Sequence, residues 1–141
     1  MTYVRSFQLS DYAEVTGLFH EVLSDSCYDE TMEAFGRQLS WDSELVLVAE
    51  KQKQIVGVLI GTIDNNNGYY YRIAVLGSHQ RKGVGKALIQ GLQKKFSQRN
   101  VKKVLVNVDD HNEPIVPFYE SLGYRAADFL RAASKLSIVN G

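Results

Sequence analysis

The chain has 141 residues, of which 45% are hydrophobic and 23% are charged, and its formal net charge at neutral pH is zero. These values predict a single globular domain over residues 1–141 and give no electrostatic reason to expect nucleic acid or an anionic membrane as a partner. The lone cysteine, Cys27, excludes an internal disulfide, and no apolar run reaches the roughly 20 residues that a membrane-spanning helix needs. We therefore expect a soluble cytoplasmic protein without a signal peptide.

The first part of the chain predicts a short strand and two helices. Residues 3–7 alternate as a strand does, and Asp11 with Glu14 resembles a capping box at a helix start. Apolar residues then recur at helical spacing as far as Leu23. Residues 24–28 are polar and indicate a break, after which a shorter second helix is expected to end before Trp41.

The middle of the chain predicts a β-meander. Residues 45–49 and 55–60 are rich in β-branched residues and are separated by a polar tetrapeptide, as in a hairpin. Residues 64–68 form a strong turn signal, and residues 69–76 return as a third strand. Strict alternation along that strand would send Tyr69 and Tyr71 to one face of the sheet and Tyr70 and Arg72 to the other.

The third strand leads into a glycine-rich loop and a helix start, which together have the character of an anion-binding site. Gly83 and Gly85 permit positive φ and close backbone approach, so that N–H groups near the helix start can converge on a phosphate. A nucleotide P-loop would need glycine at position 80 and Ser or Thr at position 87, where Gln80 and Ala87 stand. A dinucleotide fingerprint would need a small residue at Leu88.

The last part of the chain completes an α/β pattern. Apolar residues continue a helix to about Asn100, residues 104–108 form a buried strand, and a further helix begins around Pro114 and Pro117 and closes at Gly123. Residues 124–128 and 132–138 are candidates for two closing strands. The predicted order is βααβββαβαββ, a central mixed sheet flanked by helices.

Two segments carry a resemblance to a known family. The segment Gln80-Arg81-Lys82-Gly83-Val84-Gly85 resembles the acetyl-CoA signature of the GNAT superfamily of N-acetyltransferases. A second segment, with Asn112, then Tyr119 seven residues later and then Gly123-Tyr124, is similar to the family's other recurring motif, except that Ile115 stands where the family usually has alanine. From the residues alone, Asn112 could equally be a helix cap and Tyr119 a core aromatic.

The resemblance implies the GNAT acyl-CoA fold, acetyl-CoA as co-substrate and an amine as acceptor. It implies that backbone groups around Ile73, Ala74 and Val75 pair with the pantetheine arm and polarise the acetyl carbonyl. It further implies that Asn112 contacts the arm and that Tyr119 lies at the sulfur as the catalytic acid. The pyrophosphate contacts are implied for Gln80, Arg81, Lys82, Gly83, Val84, Gly85 and Lys86. A basic cluster near the helix end, residues 94–103, could also meet the 3′-phosphate.

Several questions stay open at the level of sequence. The general base could be Asp109, Asp110, His111 or, through water, Glu30 or Glu33, and the spacing of histidines and carboxylates predicts no metal site. The acceptor amine is not indicated, although acidic residues between 25 and 33 would suit a cationic amine. A domain that binds acyl-CoA without catalysis, a different acyl group such as succinyl, and a homodimer are alternatives that the sequence leaves open.

Overall fold

The computed structural model describes residues 1–131, which form six strands and four helices in the described part of the chain. The strands form one sheet in the order β1-β2-β3-β4-β5-β6, antiparallel from β1 to β4 and parallel from β4 to β6. This confirms the predicted mixed α/β fold. The elements are β1 Tyr3–Ser6, α1 Tyr12–Val22, α2 Asp25–Asp42, β2 Val46–Lys51, β3 Gln54–Asp64, β4 Asn67–Val75, α3 Val84–Gln98, β5 Lys103–Asn107, α4 Val116–Ser121 and β6 Phe129–Leu130.

Each face of the sheet has its own hydrophobic core because side chains alternate along the strands. On β2, Val46 and Val48 pack with α1 and α2, whereas Leu47 and Ala49 pack with α3. Burying a large apolar side chain contributes about 1.5–3 kcal/mol, so these two cores supply most of the stabilisation. The residues of α1 and α2 in the first core include Val15, Phe19 and Phe35, and those of α3 in the second include Leu88, Leu92 and Phe96.

A bulge in β4 changes which face Arg72 occupies. The register of β3 against β4 pairs Ile60 with Arg72 and Gly61 with Tyr70, so Tyr71 is the extra residue. Tyr71 packs in the core under α1 and α2, and Arg72 lies on the same side, where it donates a hydrogen bond to Thr31 of α2. The prediction that Arg72 shares a face with Tyr70 was therefore wrong, since strict alternation does not hold across a bulge.

The second helix is longer than predicted. Residues 25–28 belong to its first turn, and the Ser24 hydroxyl accepts a hydrogen bond from the Cys27 N–H at 3.3 Å as the N-cap. The polar residues at 24–28 thus mark a capped helix start and not a break, and the helix continues to Asp42, past Trp41.

The chain after α4 also differs from the prediction. Residues 126–128 form a single 3-10 turn, in which the Asp128 carboxylate accepts from the Arg125 N–H at 2.8 Å, and the strand follows at Phe129–Leu130. The predicted strand over 124–128 was therefore wrong, because that local carboxylate closes a turn. The second predicted closing strand, 132–138, lies outside the described residues.

Candidate functional site

The C-terminal halves of β4 and β5 splay apart and leave backbone groups of β4 unpaired by β5. The parallel pairing ends at Tyr70 with Val106. The Leu76 N–H donates to the Val56 carbonyl of β3 at 2.9 Å. In an antiparallel pair, a residue whose N–H and C=O bond to the partner strand is followed by one whose N–H and C=O point away from that strand. Ile73 and Val75 therefore present their backbone groups to the gap beside β5. Ala74 faces β3 and is buried, so it contributes packing.

The loop after β4 closes one end of this gap. The Gln80 side chain reaches back and donates its Nε2–H to the Val75 carbonyl at 3.0 Å. Gly83 has φ of +85°, in the left-handed region that favours glycine, and its carbonyl accepts the first N–H of α3, from Ala87 at 3.0 Å. Gly83 thus has the positive φ that glycine permits, whereas Gly85 lies in the first turn of α3 without a positive φ.

The N-terminus of α3 has unpaired N–H groups of the kind that can bind an anion. Within the described residues, the N–H groups of Val84, Gly85 and Lys86 precede the first intrahelical hydrogen bond and have no backbone partner, and Gly83 offers no capping side chain. The helix dipole adds a partial positive charge. Arg81, Lys82 and Lys86 are exposed beside it, whereas the side chain of Val84 is buried in the core and leaves only its N–H available.

A groove of about 270 Å³ connects the open edge of β4 with this helix start. Its walls are largely apolar and include the α4 side chain Phe118. A Cβ added at Gly85 would lie 3.0 Å from Phe118 Cζ, so a side chain at that position would enter the groove. Open backbone groups, apolar walls and a cationic end fit the pantetheine and pyrophosphate of acetyl-CoA. The lining residues are Val22, Ile73, Val75, Gln80, Arg81, Gly85, Ile115 and Phe118.

Asn112 stabilises the loop between β5 and α4. Its Nδ2 donates to the Asn107 carbonyl at 2.9 Å, and its Oδ1 accepts from the Asp109 N–H at 2.7 Å. This is the turn role that the residue type allows on general grounds. One N–H of its carboxamide is left for a ligand, so a contact with the pantetheine arm stays a prediction.

Tyr119 is buried on α4 and lies behind the groove. Its ring stacks on Tyr70 at 5.6 Å between centroids and meets Phe118 and Tyr124 edge to face. Burial raises the pKa of the Tyr119 phenol, and charge on Tyr124 adds to the shift, so the hydroxyl is neutral near neutral pH. Among residues 1–131 no side-chain hydrogen bond involves its hydroxyl, and the fully buried unpaired side-chain atoms there are Gln38 Oε1 and Thr62 Oγ1. The groove is lined by the neighbouring Phe118, so the assignment of Tyr119 as the acid stays a prediction.

An ionic cluster around the buried Arg72, formed with Glu30, Asp109 and His111, bridges the gap from the α2 side. Arg72 donates to Asp109 Oδ1 at 3.2 Å and to Oδ2 at 3.1 Å, and its NH2 lies 3.8 Å from Glu30 Oε2. His111 Nε2 lies 2.9 Å from the same Glu30 oxygen. Burial lowers the pKa of Arg72, but hydrogen bonds and charge from Asp109 outweigh this and raise it. The guanidinium therefore stays charged.

The structure thus brings together three of the five candidate bases. Glu33 lies outside the cluster and pairs with Arg37 on the surface of α2, and Asp110 is exposed. Sequence reasoning missed Arg72 as the centre of this cluster, and it also missed Val22 and Phe118 in the groove. The role of Arg72 could have been suspected from one signal, a single arginine inside the apolar and aromatic run 69–76.

Two of the five basic residues near the end of α3, Lys95 and Arg99, form surface ion pairs. Lys95 lies 3.3 Å from Glu44, and Arg99 pairs with Asp42 and Glu44. Lys94 and Lys95 line a wider surface groove of about 660 Å³ between β1 and α3, on the opposite edge of the sheet from the splayed strands. A contact of these residues with a 3′-phosphate stays a prediction.

Two further findings concern residues 1–131. None of the helices there has the length and apolar character required to cross a bilayer. In the same part of the chain, no group of three or more His, Cys, Asp or Glu side chains is arranged to hold a metal ion.

Comparison with known proteins gives a family match over most of the chain. The model of the acetyltransferase (GNAT) domain matches residues 8–140. That range includes the glycine loop, both splayed strands and α4.

Solved structures with a similar fold include several acetyltransferases. PaiA N-acetyltransferase from Thermoplasma acidophilum, in complex with coenzyme A, is 16% identical, with a TM-score of 0.73 over 89% of this chain and 90% of that one. An aminoglycoside antibiotic 6′-N-acetyltransferase from Acinetobacter haemolyticus is 18% identical, with a TM-score of 0.72 over 96% and 99%. The ribosomal-protein-S18-alanine N-acetyltransferase from Escherichia coli is 20% identical, with a TM-score of 0.68 over 87% and 77%. At these identities the likeness concerns the fold.

Proposed function

The chain belongs to the GNAT acetyltransferase family, and from this premise we propose that it transfers the acetyl group of acetyl-CoA directly to a primary amine. One observation carries the proposal. The open backbone edge at Ile73 and Val75 and the uncapped N-terminus of α3 meet in a single groove. That pairing suits a ligand with an amide-containing arm and a pyrophosphate.

The residues of the groove have distinct roles in this proposal. The backbone groups of Val75 pair with the pantetheine amides, as an added strand would. The N–H groups of Val84, Gly85 and Lys86 bind the pyrophosphate, and Arg81 and Lys82 add positive charge at its exposed side. Gln80 holds the loop against β4 through its bond to Val75. Asn112 keeps the β5–α4 loop in position and offers its remaining N–H to the arm.

Groups around the gap between β4 and β5 also take part in the acetyl transfer itself. Bound acetyl-CoA supplies the acetyl group as a thioester. The Ile73 N–H, which faces the gap, donates a hydrogen bond to the oxygen that becomes negative when the amine attacks. Tyr119, with its phenol neutral, donates a hydrogen bond or a proton toward the departing sulfur after a small side-chain movement past Phe118.

The acceptor is proposed only as an amine. The structurally similar enzymes are named for quite different acceptors, which include an aminoglycoside, a ribosomal-protein alanine and 2,4-diaminobutyric acid. The carboxylates of Asp25 and Asp29 on α2 favour a cationic amine, because they would attract an ammonium group. Glu30 and Glu33 of the same segment are already paired, Glu30 with Arg72 and His111 and Glu33 with Arg37.

Turnover tests the proposal directly. Thiol release from acetyl-CoA would be followed with kanamycin, 2,4-diaminobutyrate, spermidine and a peptide with N-terminal alanine, and mass spectrometry would identify the acetylated amine. We expect at least one of these amines to be acetylated. Binding of acetyl-CoA without acetylation of any amine would contradict the proposal. The same assay with succinyl-CoA would measure acyl selectivity.

A binding module without catalysis is the second candidate. The burial of Tyr119 behind Phe118 favours it, because a buried phenol has no direct path to a sulfur in the groove. Such a module would bind acetyl-CoA with the same groove and release no thiol. A cytoplasmic location and a homodimer stay predictions, and size measurement by light scattering would test the second.

A further inference from the structure

A primary amine is protonated near neutral pH and must lose a proton before it can attack a thioester. We propose that His111 is the proton acceptor for the acceptor amine, with Glu30 and Arg72 as its positioning residues. The inference rests on the proposed function, since it names the base of that reaction.

The Arg72–Asp109 contact places this cluster at the gap. Arg72 comes from β4, directly before Ile73, and Asp109 follows β5, so the ion pair joins the two strands where their pairing has ended. The groove is lined by Ile73 and Val75 of β4 and by Val22 of α1. Arg72 of the cluster directly precedes Ile73 and donates to Thr31 of α2. The cluster therefore borders the groove on the side of the sheet that α1 and α2 cover.

Asp109 is not suited to accept the proton. Its Oδ1 accepts from Arg72 and from the His111 N–H, and its Oδ2 accepts from Arg72 and, at 3.4 Å, from Asn107 Nδ2. The carboxylate thus receives four donors, two of them from a buried guanidinium, and no oxygen of it is left to face the amine. Its role is to hold Arg72 and the backbone of His111.

His111 has the geometry of an oriented base. Its Nε2 lies 2.9 Å from Glu30 Oε2, so in the neutral ring Nε2 carries the hydrogen and donates it to the carboxylate. The lone pair is then on Nδ1. The His111 side chain is 24% exposed and that of Glu30 is 12% exposed, so a substrate can reach the imidazole while the carboxylate behind it is largely buried.

The charged groups around His111 come from three elements. Glu30 of α2 accepts from the His111 ring, and Asp109 of its own loop accepts from the His111 backbone N–H. Arg72 of β4 lies next to both carboxylates, and the Tyr71 ring covers Arg72 on the core side. Glu30 thus orients the ring and Asp109 balances the charge of Arg72, as in the base and orienting-acid arrangement of other acyl-transfer sites.

The proton balance of the step is complete without another reactant. The ammonium gives one proton to His111 Nδ1, the amine nitrogen forms its bond to the acetyl carbon, and the carbon–sulfur bond breaks. The departing sulfur takes a proton from Tyr119, and the second nitrogen proton passes through water to the Tyr119 oxygen and restores its hydroxyl. The products are the N-acetyl amine and the free thiol, after which His111 releases its proton to solvent.

The first test measures the tautomer of the His111 imidazole and does not require a reaction. Nitrogen-15 NMR of the full chain with bound CoA would show which ring nitrogen of neutral His111 carries hydrogen. We expect hydrogen on Nε2 in the parent and in the control Glu33→Gln, and a mixture of tautomers in Glu30→Gln. Hydrogen on Nδ1 in the parent would overturn the inference, because no lone pair would then face the amine.

The second test separates this inference from the proposed function. With an amine that the parent acetylates, His111→Gln should lower kcat by about 10²-fold and leave the affinity for acetyl-CoA unchanged. The exposed histidine of α1 provides the matched control, His20→Gln, which should behave as the parent. Normal turnover by His111→Gln would overturn the role of His111 and leave the proposed function standing. Absence of turnover by the parent with every amine would contradict the proposed function, and the tautomer would still be measured.

Glu30→Gln gives a readout that a structural role would not move. Loss of the carboxylate leaves the His111 Nε2–H without its acceptor, so kcat should fall while the affinity for acetyl-CoA stays unchanged, and the tautomer mixture should appear in the same variant. A lower kcat with the parent tautomer retained would contradict a positioning role for Glu30.

Discussion

At the scale of single residues, Arg72 is the side chain whose loss should lower the free energy of unfolding most. It is buried and serves Asp109, Glu30 and Thr31 at once, so Arg72→Met would leave a largely buried carboxylate without its partner. We expect a loss of about 3 kcal/mol in the free energy of unfolding, at the low end for such pairs because Asp109 keeps 19% of its side chain exposed. Urea denaturation would measure this.

The control for Arg72 is an arginine on the surface. Arg37→Met removes an ion pair with Glu33 one turn away on α2, where both side chains are more than half exposed. Such pairs contribute about 0.3–0.5 kcal/mol, so this variant should unfold close to the parent. Equal effects of the two substitutions would mean that the cluster at β4 is solvated and not a buried ionic site.

Tyr119→Phe separates the packing role of that residue from its proposed role as an acid. The ring stacking with Tyr70 is kept and no hydrogen bond is lost within residues 1–131, so stability should change little. If the hydroxyl acts at the sulfur, kcat should fall by about 10²-fold with acetyl-CoA affinity unchanged. Steady-state kinetics and calorimetry would measure the two quantities, and an unchanged kcat would contradict the role.

Tyr124→Phe should give the opposite pattern to Tyr119→Phe. The Tyr124 hydroxyl bonds to the Tyr70 hydroxyl at 2.6 Å and accepts from Gln93 at 2.7 Å. Loss of these bonds should lower stability by about 1 kcal/mol each and leave kcat near that of the parent.

At the scale of elements, α3 is held against the sheet by close approach at glycines. A Cβ added at Gly61 would lie 2.4 Å from Leu92 Cδ2 and 3.3 Å from the Leu45 carbonyl oxygen. Gly61→Ala should therefore cost about 1–3 kcal/mol, because α3 or Leu92 must move. Gly36→Ala, on α2 with nothing within 4 Å, should instead stabilise by about 0.5–1 kcal/mol. Thermal unfolding of both variants would test this, and a neutral Gly61→Ala would contradict the packing argument.

The elements with a clear local pattern were predictable from sequence. The hairpin turn at Asn65-Asn66, both with positive φ, and the left-handed Gly83 follow from residue type. The start of α2 was misread because an exposed first turn and a loop share the same polar composition. The bulge at Tyr71 could not be read at all, since it depends on the register of two strands, and with it the position of Arg72 beside Glu30 and Asp109 stayed hidden.

At the scale of the whole molecule, the proposed site is assembled around the gap between β4 and β5. The groove is lined from β4, α1 and α4, and the ionic cluster joins β4, α2 and the loop after β5. Long-range contacts bring together residues that are up to about eighty positions apart in sequence, from Glu30 to His111. The glycine loop is a local motif and was predicted as a unit, whereas Glu30, Asp109 and His111 were named only as separate candidate bases and their link through Arg72 was not predicted.

Calorimetric titration with acetyl-CoA tests the central claim most directly. The loop variant carries the double substitution Gly83→Asp with Gly85→Asp. The control, Gly17→Asp with Gly36→Asp, adds the same charge on exposed helix surfaces. Circular dichroism would check that each variant is folded. The added carboxylates at the α3 N-terminus should repel the pyrophosphate, and the residue-85 side chain should enter the groove. We expect the parent and the control to bind and the folded loop variant to lose binding. No binding by the parent, or equal binding by the folded loop variant, would contradict the site.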